Sequence, residues 1–318
     1  MTAHSGPKKA VYAALIGNLL IALTKFAAAV ATGSSAMLSE GVHSLVDTGN
    51  EVLLLYGLRR AALPPDLAQP LGYGRELYFW SFIVALLIFA LGAGVSFYEG
   101  VQHILAPEPI ENISLTYLVL ALSALFEGIS WSVAFREFRR RRGRKGWLAA
   151  VRESKDPTTF TVLFEDSAAL LGLAVAFLGI LASQLTGVPQ YDGVASIGIA
   201  LVLGLTAAFL ARETKSLLIG EQASAELEAA ILRIAGKRPE VHRANGVLTV
   251  HLGPLQVVAA LSLEFHDELT APQIEECVAA IERNIKAEHP AVTTLFVKPQ
   301  TRHQWHQRRQ RLESVDET

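Results

Sequence analysis

Long apolar runs, separated by short polar segments, dominate the first two thirds of the chain. A membrane-spanning helix needs about 20 mostly apolar residues. Five runs meet that length, at residues 10–32, 77–99, 113–135, 158–184 and 193–211. A sixth run, at 36–57, is long enough but contains the polar segment SEGVHSLVDTGNE. Hydropathy alone therefore predicts five spanning helices and leaves the sixth undecided.

The placement of basic residues decides whether residues 36–57 also cross. Lys and Arg collect in the cytoplasmic loops of membrane proteins. They occur here at Lys8, Lys9, Arg59, Arg60, Arg75, Arg212, Lys215 and in the run from Arg136 to Arg152. Segments 33–36, 103–112 and 185–191 contain neither residue type. The two groups lie on opposite faces only if 36–57 crosses, which predicts six spans with both termini cytoplasmic.

The pattern after Arg212 changes to that of a water-soluble domain. Helical periodicity covers 224–236 and 271–288, and strand-like alternation covers 247–253, 256–265 and 293–298. The order αββαβ predicts a small two-layer α+β domain. We therefore predict a six-helix transmembrane domain at 1–212, a cytoplasmic domain at 213–300 and a disordered tail at 301–318.

Composition and charge agree with a membrane protein. The chain has 318 residues, of which 51% are hydrophobic and 18% charged, and its net charge is −2. The basic run at 136–152 directly follows a span, so anionic lipid headgroups explain it better than nucleic acid. Cys277 is the single cysteine, which excludes an internal disulfide. No GxxxxGK[ST] loop is present, which argues against transport driven by nucleotide hydrolysis.

The first residues, MTAHSGPKKA, lead into an apolar run that is longer than the hydrophobic part of a signal peptide. We therefore interpret this run as a retained first span. The segment also lacks the Arg- and Ser-rich composition of an organellar presequence. A bacterial cytoplasmic membrane is the expected location.

The polar segment in the second span carries the candidate chemistry. Residues four apart share a helix face, so His43, Asp47 and Glu51 form one stripe with Asn50 beside it. An ionisable group inside a bilayer costs roughly 3 kcal/mol and usually faces a partner or a polar path. Mixed nitrogen and oxygen ligands suit zinc and its first-row neighbours. The stripe predicts a metal or proton path, with a structural contact between helices as the alternative.

A second pair of acids interrupts the fifth span, in FTVLFEDSAALLG. Glu165 and Asp166 point about 100° apart on a helix, so at most one of them aims directly at a given site. If spans two and five pack together, Asp166 can complete a cluster with His43 and Asp47, and Glu165 can act as a further ligand or proton acceptor. The alternative is that the pair lies at the membrane surface.

Other polar residues are weaker candidates. Asn18 and Lys25 could line the same path, but we expect Lys25 to snorkel toward the outer surface. Structural roles are expected for Glu99, Glu127 and Asp192. The histidines of the soluble domain are scattered singly, which favours surface or hydrogen-bonding roles over regulatory metal binding; they are His242, His251, His266 and His289.

Five ordered blocks resemble the cation diffusion facilitator family across residues 10–300. They are GSSAMLSEGVHSLVDTGNEVLLLYG, QPLGYGRELYFWSF, DPTTFTVLFEDSAALLGL, YDGVASIGIALVLG and KSLLIGEQA. The resemblance implies six transmembrane helices, a metallochaperone-like cytoplasmic domain, a homodimer, and export of divalent metal in exchange for protons. It also implies that the transported ion lies between spans two and five, where each span contributes a pair of ligands.

The family's ligand positions match this chain only in part. His43 and Asp47 match the pair in span two, and Asp166 matches the second acid in span five. The first position of that second pair is Val162, which cannot bind metal, so Glu165, Asn50 or water would have to supply the missing ligand. The block before span three begins with Gln69, where the family normally has histidine.

The resemblance and the residues together predict a transporter, with two rival classes. Zinc is the expected ion, and Fe²⁺, Co²⁺, Ni²⁺ and Mn²⁺ are alternatives, with manganese the less suited because it prefers oxygen-only sites. An HExxH motif or several histidine pairs would be typical of an intramembrane metalloenzyme. The sequence lacks both, so no enzyme activity is expected. The remaining rival is a membrane-bound metal sensor or scaffold that binds metal without flux.

Overall fold

The structure, a computed structural model, describes residues 5–107, 112–142, 146, 150–151 and 154–316. Parts of the basic run predicted to face lipid, at 143–145, 147–149 and 152–153, lie outside these residues. The described chain divides into two compact units. The first comprises residues up to Arg60 together with Glu76–Lys215, and the second comprises Ala61–Arg75 together with Ser216–Thr318.

Long helices build the first unit. They are α1 (Ser5–Thr32), α2 (Ser35–Ala61), α3 (Arg75–Leu87), α4 (Gly94–Leu105), α5 (Ile113–Arg142), α6 (Pro157–Thr186) and α7 (Gln190–Ile219). The six residues Ile88–Ala93 join α3 to α4 as a π-helical turn, so these two helices form one continuous rod. Both α2 and α7 extend beyond the predicted spans.

Four of these segments are long and apolar enough to cross a membrane, judged over the described residues. They are Arg75–Leu105, Ile113–Arg140, Phe160–Thr186 and Gln190–Ile219, and α1 contains a shorter apolar stretch, Asn18–Thr32. Helix α2 is not among them, because its polar residues lower its hydropathy. A helical membrane protein with a small C-terminal sheet domain is therefore confirmed, with four clear spans.

Local sequence signals set the ends of α6, the helix that carries the two acids. The Asp156 side chain accepts a hydrogen bond from the backbone N–H of Thr158 at 3.1 Å, and Pro157 occupies the first helical position. Gly187 ends the helix with a φ of 71°, a conformation that glycine adopts without strain. Thr161 and Glu165 thus lie one and two turns inside a well-defined helix start.

The second unit contains a three-stranded sheet and its helices. Its elements are α8 (Ala225–Gly236), β1 (Val241–Gly253), β2 (Gln256–Phe265), α9 (Ala271–Glu288) and β3 (Val292–Pro299). Strand β2 is central, antiparallel to β1 and parallel to β3, with α9 as the crossover. Alternate β2 side chains Ala259, Leu261 and Leu263 pack with Ile231 and Ile281 in a buried core.

The segment after Thr301 corrects the expectation of a disordered tail. It forms helix α10 (Arg302–Asp316), and Trp305 is only 7% exposed although most residues of its helix are polar. The indole ring lies directly against Gly246 of β1, where no side chain intervenes. One buried aromatic residue can anchor a short helix without any apolar periodicity, which is why the sequence pattern missed it.

The connection between α2 and α3 lies in a different unit from the one that a single domain boundary at residue 212 predicts. Residues 61–75 belong to the second unit. Asp66 organises this loop by accepting hydrogen bonds from the backbone of Ala68 and Gln69 and from the Tyr73 hydroxyl. Gly74 lies against the Leu252 carbonyl in β1, so the loop packs on the β1–β2 hairpin.

Candidate metal site

His43 and Asp47 of α2 form the predicted i,i+4 pair. His43 Nδ1 lies 3.3 Å from Asp47 Oδ1, and the imidazole is 1% exposed. No hydrogen bond joins these two atoms despite their short separation. Both ring nitrogens of His43 and Asp47 Oδ1 are buried without a hydrogen-bond partner among the described residues. Because buried polar atoms are normally partnered, these atoms suit an ion or water between them.

The neighbouring polar residues of α2 connect it to two other helices. The Asn50 amide donates to Glu165 Oε1 of α6 at 2.8 Å. Glu51 Oε1 accepts from the Asn18 amide of α1, also at 2.8 Å. Asn50 Oδ1 and Glu51 Oε2 remain unpartnered within the described part of the chain. The α2 stripe is therefore held between α1 and α6 while retaining free oxygen acceptors.

The two acids of α6 point to different neighbours, as adjacent helical positions must. Glu165 is 6% exposed and faces α2 through Asn50. Asp166 Oδ2 instead accepts from the Ser130 hydroxyl of α5 at 2.9 Å. Val162, one turn before Asp166, offers no donor atom. The residue that bonds directly to α2 is therefore Glu165, not the Asp166 of the predicted ligand set.

The structure does not gather a complete ligand set. Across the described ranges, no three side chains of His, Cys, Asp or Glu converge on one ion position. It brings His43 together with Asp47, and Asn50 together with Glu165. The predicted grouping of His43, Asp47 and Asp166 stays a prediction.

Lys25 corrects the expectation that it snorkels outward. Its side chain is fully buried, and Nζ lies 3.1 Å from Glu40 Oε2, 2.7 Å from Ser44 Oγ and 3.8 Å from Glu127 Oε1. Partners on α2 and α5 are thus available inside the unit, so the ammonium has no need to reach the membrane surface. The same contacts give Glu127 the structural role expected of it.

Sequence reasoning missed Glu40, although a signal was present. Chain reversal near Gly33 makes α1 and α2 an antiparallel helical hairpin. Residues at equal distances from the turn then lie at the same level, and Lys25 is eight residues before Gly33 while Glu40 is seven after it. Asn18 and Glu51, which lie 15 residues before and 18 residues after Gly33, also meet across this hairpin.

Asp192, at the start of α7, binds the start of α2. Its carboxylate accepts from the Ser34 hydroxyl, from the hydroxyl and backbone N–H of Ser35, and from the backbone N–H of Ala36, at 2.7–3.2 Å. His103 Nδ1 lies 3.5 Å away. A carboxylate suits the free N–H groups of a helix start, so Asp192 fixes this end of α2.

In the second unit, His251 has the hydrogen-bonding role expected of it. This buried residue places Nδ1 3.1 Å from the Gly253 carbonyl oxygen. The rings of His242 and His266 pack edge to face at 5.2 Å.

The fold and these buried groups define a helical integral membrane protein with ionisable side chains paired between its helices. Comparison with known proteins identifies its family: the cation efflux transmembrane domain matches residues 11–219. The chain belongs to the cation efflux family.

Individual relatives agree with that assignment. The chain is 37% identical over 250 residues to the human mitochondrial proton-coupled zinc antiporter SLC30A9, covering 78% of this chain and 44% of that protein. It is 36% identical over 215 residues to metal tolerance protein C4 of Arabidopsis thaliana, covering 67% and 47%. Magnetosome protein MamB of Paramagnetospirillum magneticum is 24% identical over 294 residues, covering 92% and 94%. The chain thus spans less than half the length of the first two relatives.

Proposed function

We propose that this protein is a secondary transporter that exports divalent metal cations, Zn²⁺ above all, from the cytoplasm in exchange for protons. The observation that carries the proposal is the buried His43–Asp47 pair, whose lone pairs lack partners among the described residues. A relative named as a proton-coupled zinc antiporter, at 37% identity, supports the same activity.

The transport domain in this proposal has six spans, with α1 and α2 crossing beside the four clear ones. Both termini face the cytoplasm, and the membrane is the bacterial cytoplasmic one. The alternation of basic and non-basic connecting segments supports this topology. The second unit is a metallochaperone-like αββαβ domain, and the working form is a homodimer, as the family resemblance implies.

His43, Asp47 and Asp166 are the proposed metal ligands. Glu165, Asn50 and Glu51 are additional ligands or proton carriers around them. Metal and protons compete for the same lone pairs, so the ion binds when His43 is neutral and the acids are ionised, and protons release it on the other side. An unperturbed histidine exchanges its proton near ambient pH, which suits this cycle.

The Asn50–Glu165 hydrogen bond has a specific place in that cycle. It joins α2 to α6 at the level of the candidate site. If Glu165 turns to the ion, the Asn50 amide loses its acceptor and the two helices can separate. Loading of the site and the packing of α2 against α6 would then be coupled through one side chain.

Proteoliposomes containing the purified protein test the function directly. Zinc uptake is measured with and without an imposed pH gradient, and Fe²⁺, Co²⁺, Ni²⁺ and Mn²⁺ are compared in the same vesicles. We expect zinc to accumulate inside vesicles whose interior is acidic. Zinc uptake should stop when an ionophore removes the pH gradient. If another metal moves and zinc does not, that metal replaces zinc as the proposed substrate. Tight binding without movement of any metal would favour the sensor or scaffold.

A further inference from the structure

The Lys25 cluster, formed by Lys25, Glu40, Ser44 and Glu127, lies beside the candidate metal site. Ser44 directly follows His43 in α2, and Glu40 precedes His43 by three residues. The Lys25 ammonium contacts Glu40, Ser44 and Glu127. The three charged side chains, Lys25, Glu40 and Glu127, are all buried. A second site with carboxylates therefore lies about one helical turn from the first, and it is already occupied by a cation of the chain itself.

The arrangement does more than hold helices together. A structural ion pair needs one carboxylate for one ammonium, whereas two carboxylates flank Lys25. Glu40 Oε1 is buried and has no hydrogen-bond partner among the described residues, so the cluster keeps an unused acceptor. Without Lys25, two buried carboxylates and a hydroxyl would surround an empty position, and oxygen ligands of this kind attract divalent cations.

We propose that Lys25 is a specificity-determining positioning residue: its ammonium fills the Glu40–Glu127 carboxylate pair, so that a transported metal ion cannot be trapped beside the His43–Asp47 site. This inference rests on the proposed transport function. A divalent ion at Glu40 and Glu127 would be held close to the first ion's path by two buried negative charges. Lys25 occupies the position between these carboxylates instead, and it cannot diffuse away because its side chain is part of α1.

The test compares zinc binding by wild type, Lys25→Gln, Lys25→Arg and the double variant Lys25→Gln/Glu40→Gln. Zinc per chain is counted by equilibrium dialysis of the purified detergent-solubilised protein. We expect Lys25→Gln to bind one more zinc ion per chain than wild type. Lys25→Arg keeps the cation and should bind as wild type does, and the double variant should lose the added ion. Equal zinc counts in wild type and Lys25→Gln would overturn the proposal.

Transport kinetics separate this role from a merely structural one. In Lys25→Gln we expect both kcat and KM of zinc flux to fall, because an ion that binds more tightly leaves more slowly. A purely structural defect would lower the amount of active protein and leave KM unchanged. That outcome, together with an unchanged zinc count, would assign Lys25 to folding alone.

Two further comparisons distinguish a failure of the Lys25 proposal from a failure of the proposed transport function. Wild type that moves zinc while Lys25→Gln binds no extra ion contradicts the Lys25 proposal only. Wild type that moves no metal contradicts the transport function, while an added ion in Lys25→Gln would still support Lys25 as the blocking cation. If Lys25→Gln is unstable without metal, rescue by zinc supports the proposal. Rescue by Glu40→Gln and not by zinc contradicts it.

Discussion

At the scale of single residues, the two adjacent acids of α6 make contacts with different helices. Glu165 bonds across to α2, and Asp166 bonds to α5. The amide variants Glu165→Gln and Asp166→Asn remove one negative charge each while preserving an oxygen that can accept the existing hydrogen bond. Loss of transport in either can therefore be assigned to charge and not to misfolding.

We expect Asp166→Asn to reduce zinc flux to that of protein-free vesicles, since the variant removes a proposed ligand. Glu165→Gln should weaken zinc affinity about 10- to 100-fold, the usual effect of losing a group that supports the ligands, and flux should recover at high zinc. Flux is measured in proteoliposomes over a range of zinc concentrations. The reverse order would make Glu165 the ligand from α6.

Cys277 provides a residue-scale test of the second unit. Burial raises the pKa of its thiol, and the nearby Glu240 carboxylate acts in the same direction, while Arg238 opposes it. The folded state then holds the thiol proton more tightly than the unfolded chain does. Stability from the neutral thiol is complete below the ordinary thiol pKa, about 8.5, and is lost as pH rises through the higher folded value.

Alkylation of this single cysteine by iodoacetamide should follow that pattern. At pH 8 we expect the native protein to react at least about tenfold more slowly than the denatured chain, because only the thiolate of an exposed cysteine reacts quickly. The rate should continue to rise above the pH at which the denatured chain levels off. Equal rates at pH 8 would contradict the buried position of Cys277.

At the scale of elements, the start of α2 depends on another helix. The Asp192 carboxylate on α7 binds two backbone N–H groups and two hydroxyls at residues 34–36. This contact anchors the helix that carries His43 and Asp47. The sequence predicted a structural role for Asp192 but could not identify its partners, because they lie more than 150 residues away in the chain.

Asp192→Ala should therefore destabilise the protein by roughly 3 kcal/mol or more, since it leaves several buried donors unpaired. Ser196→Ala is the matched control, because it removes one hydroxyl that contacts Ser35 at 3.0 Å and leaves the carboxylate in place. Thermal unfolding of the two purified variants measures the difference. Equal unfolding midpoints would show that the carboxylate does not anchor α2.

Helix α10 is held by a different device, the contact of Trp305 with Gly246. A side chain at position 246 would overlap the indole ring, so Gly246→Val should release α10. We expect trypsin to cleave after Arg302 and Arg308 about tenfold faster in this variant, because proteolysis follows the population of the released form. In the control Gly236→Ala, the added carbon would lie 3.9 Å from Ala244 Cβ, an ordinary contact. Unchanged cleavage in Gly246→Val would refute the docking.

At the scale of the whole molecule, the long apolar runs predicted the helices of the first unit well. The central strand and both helices of the sheet domain also followed from their periodicity. Helix α2 lacks the hydropathy of the four clear spans, because the polar groups that lower its hydropathy are those of the candidate site. Functional sites commonly break the local rule in this way.

Contacts between distant residues were the part that the sequence could not supply. The burial of Lys25 depends on partners from α2 and α5, and the fixing of α10 depends on a glycine in β1. Loop 61–75 joins the second unit through Gly74, which no hydrophobic pattern marks. The site formed by His43, Asp47 and the two α6 acids stays a prediction, whereas Glu40 required the geometry of the α1–α2 hairpin.

Zinc and proton fluxes counted together in the same vesicles show whether the protein exchanges one ion for the other. Wild type, His43→Ala and Asp47→Ala are reconstituted, zinc is added on one side, and a zinc dye and a pH dye report both fluxes together. The proposed antiport mechanism predicts that wild type moves protons opposite to zinc and that both fluxes disappear together in each variant, while gel filtration shows folded protein. Zinc flux that persists in Asp47→Ala, or zinc flux in wild type without proton movement, would contradict it.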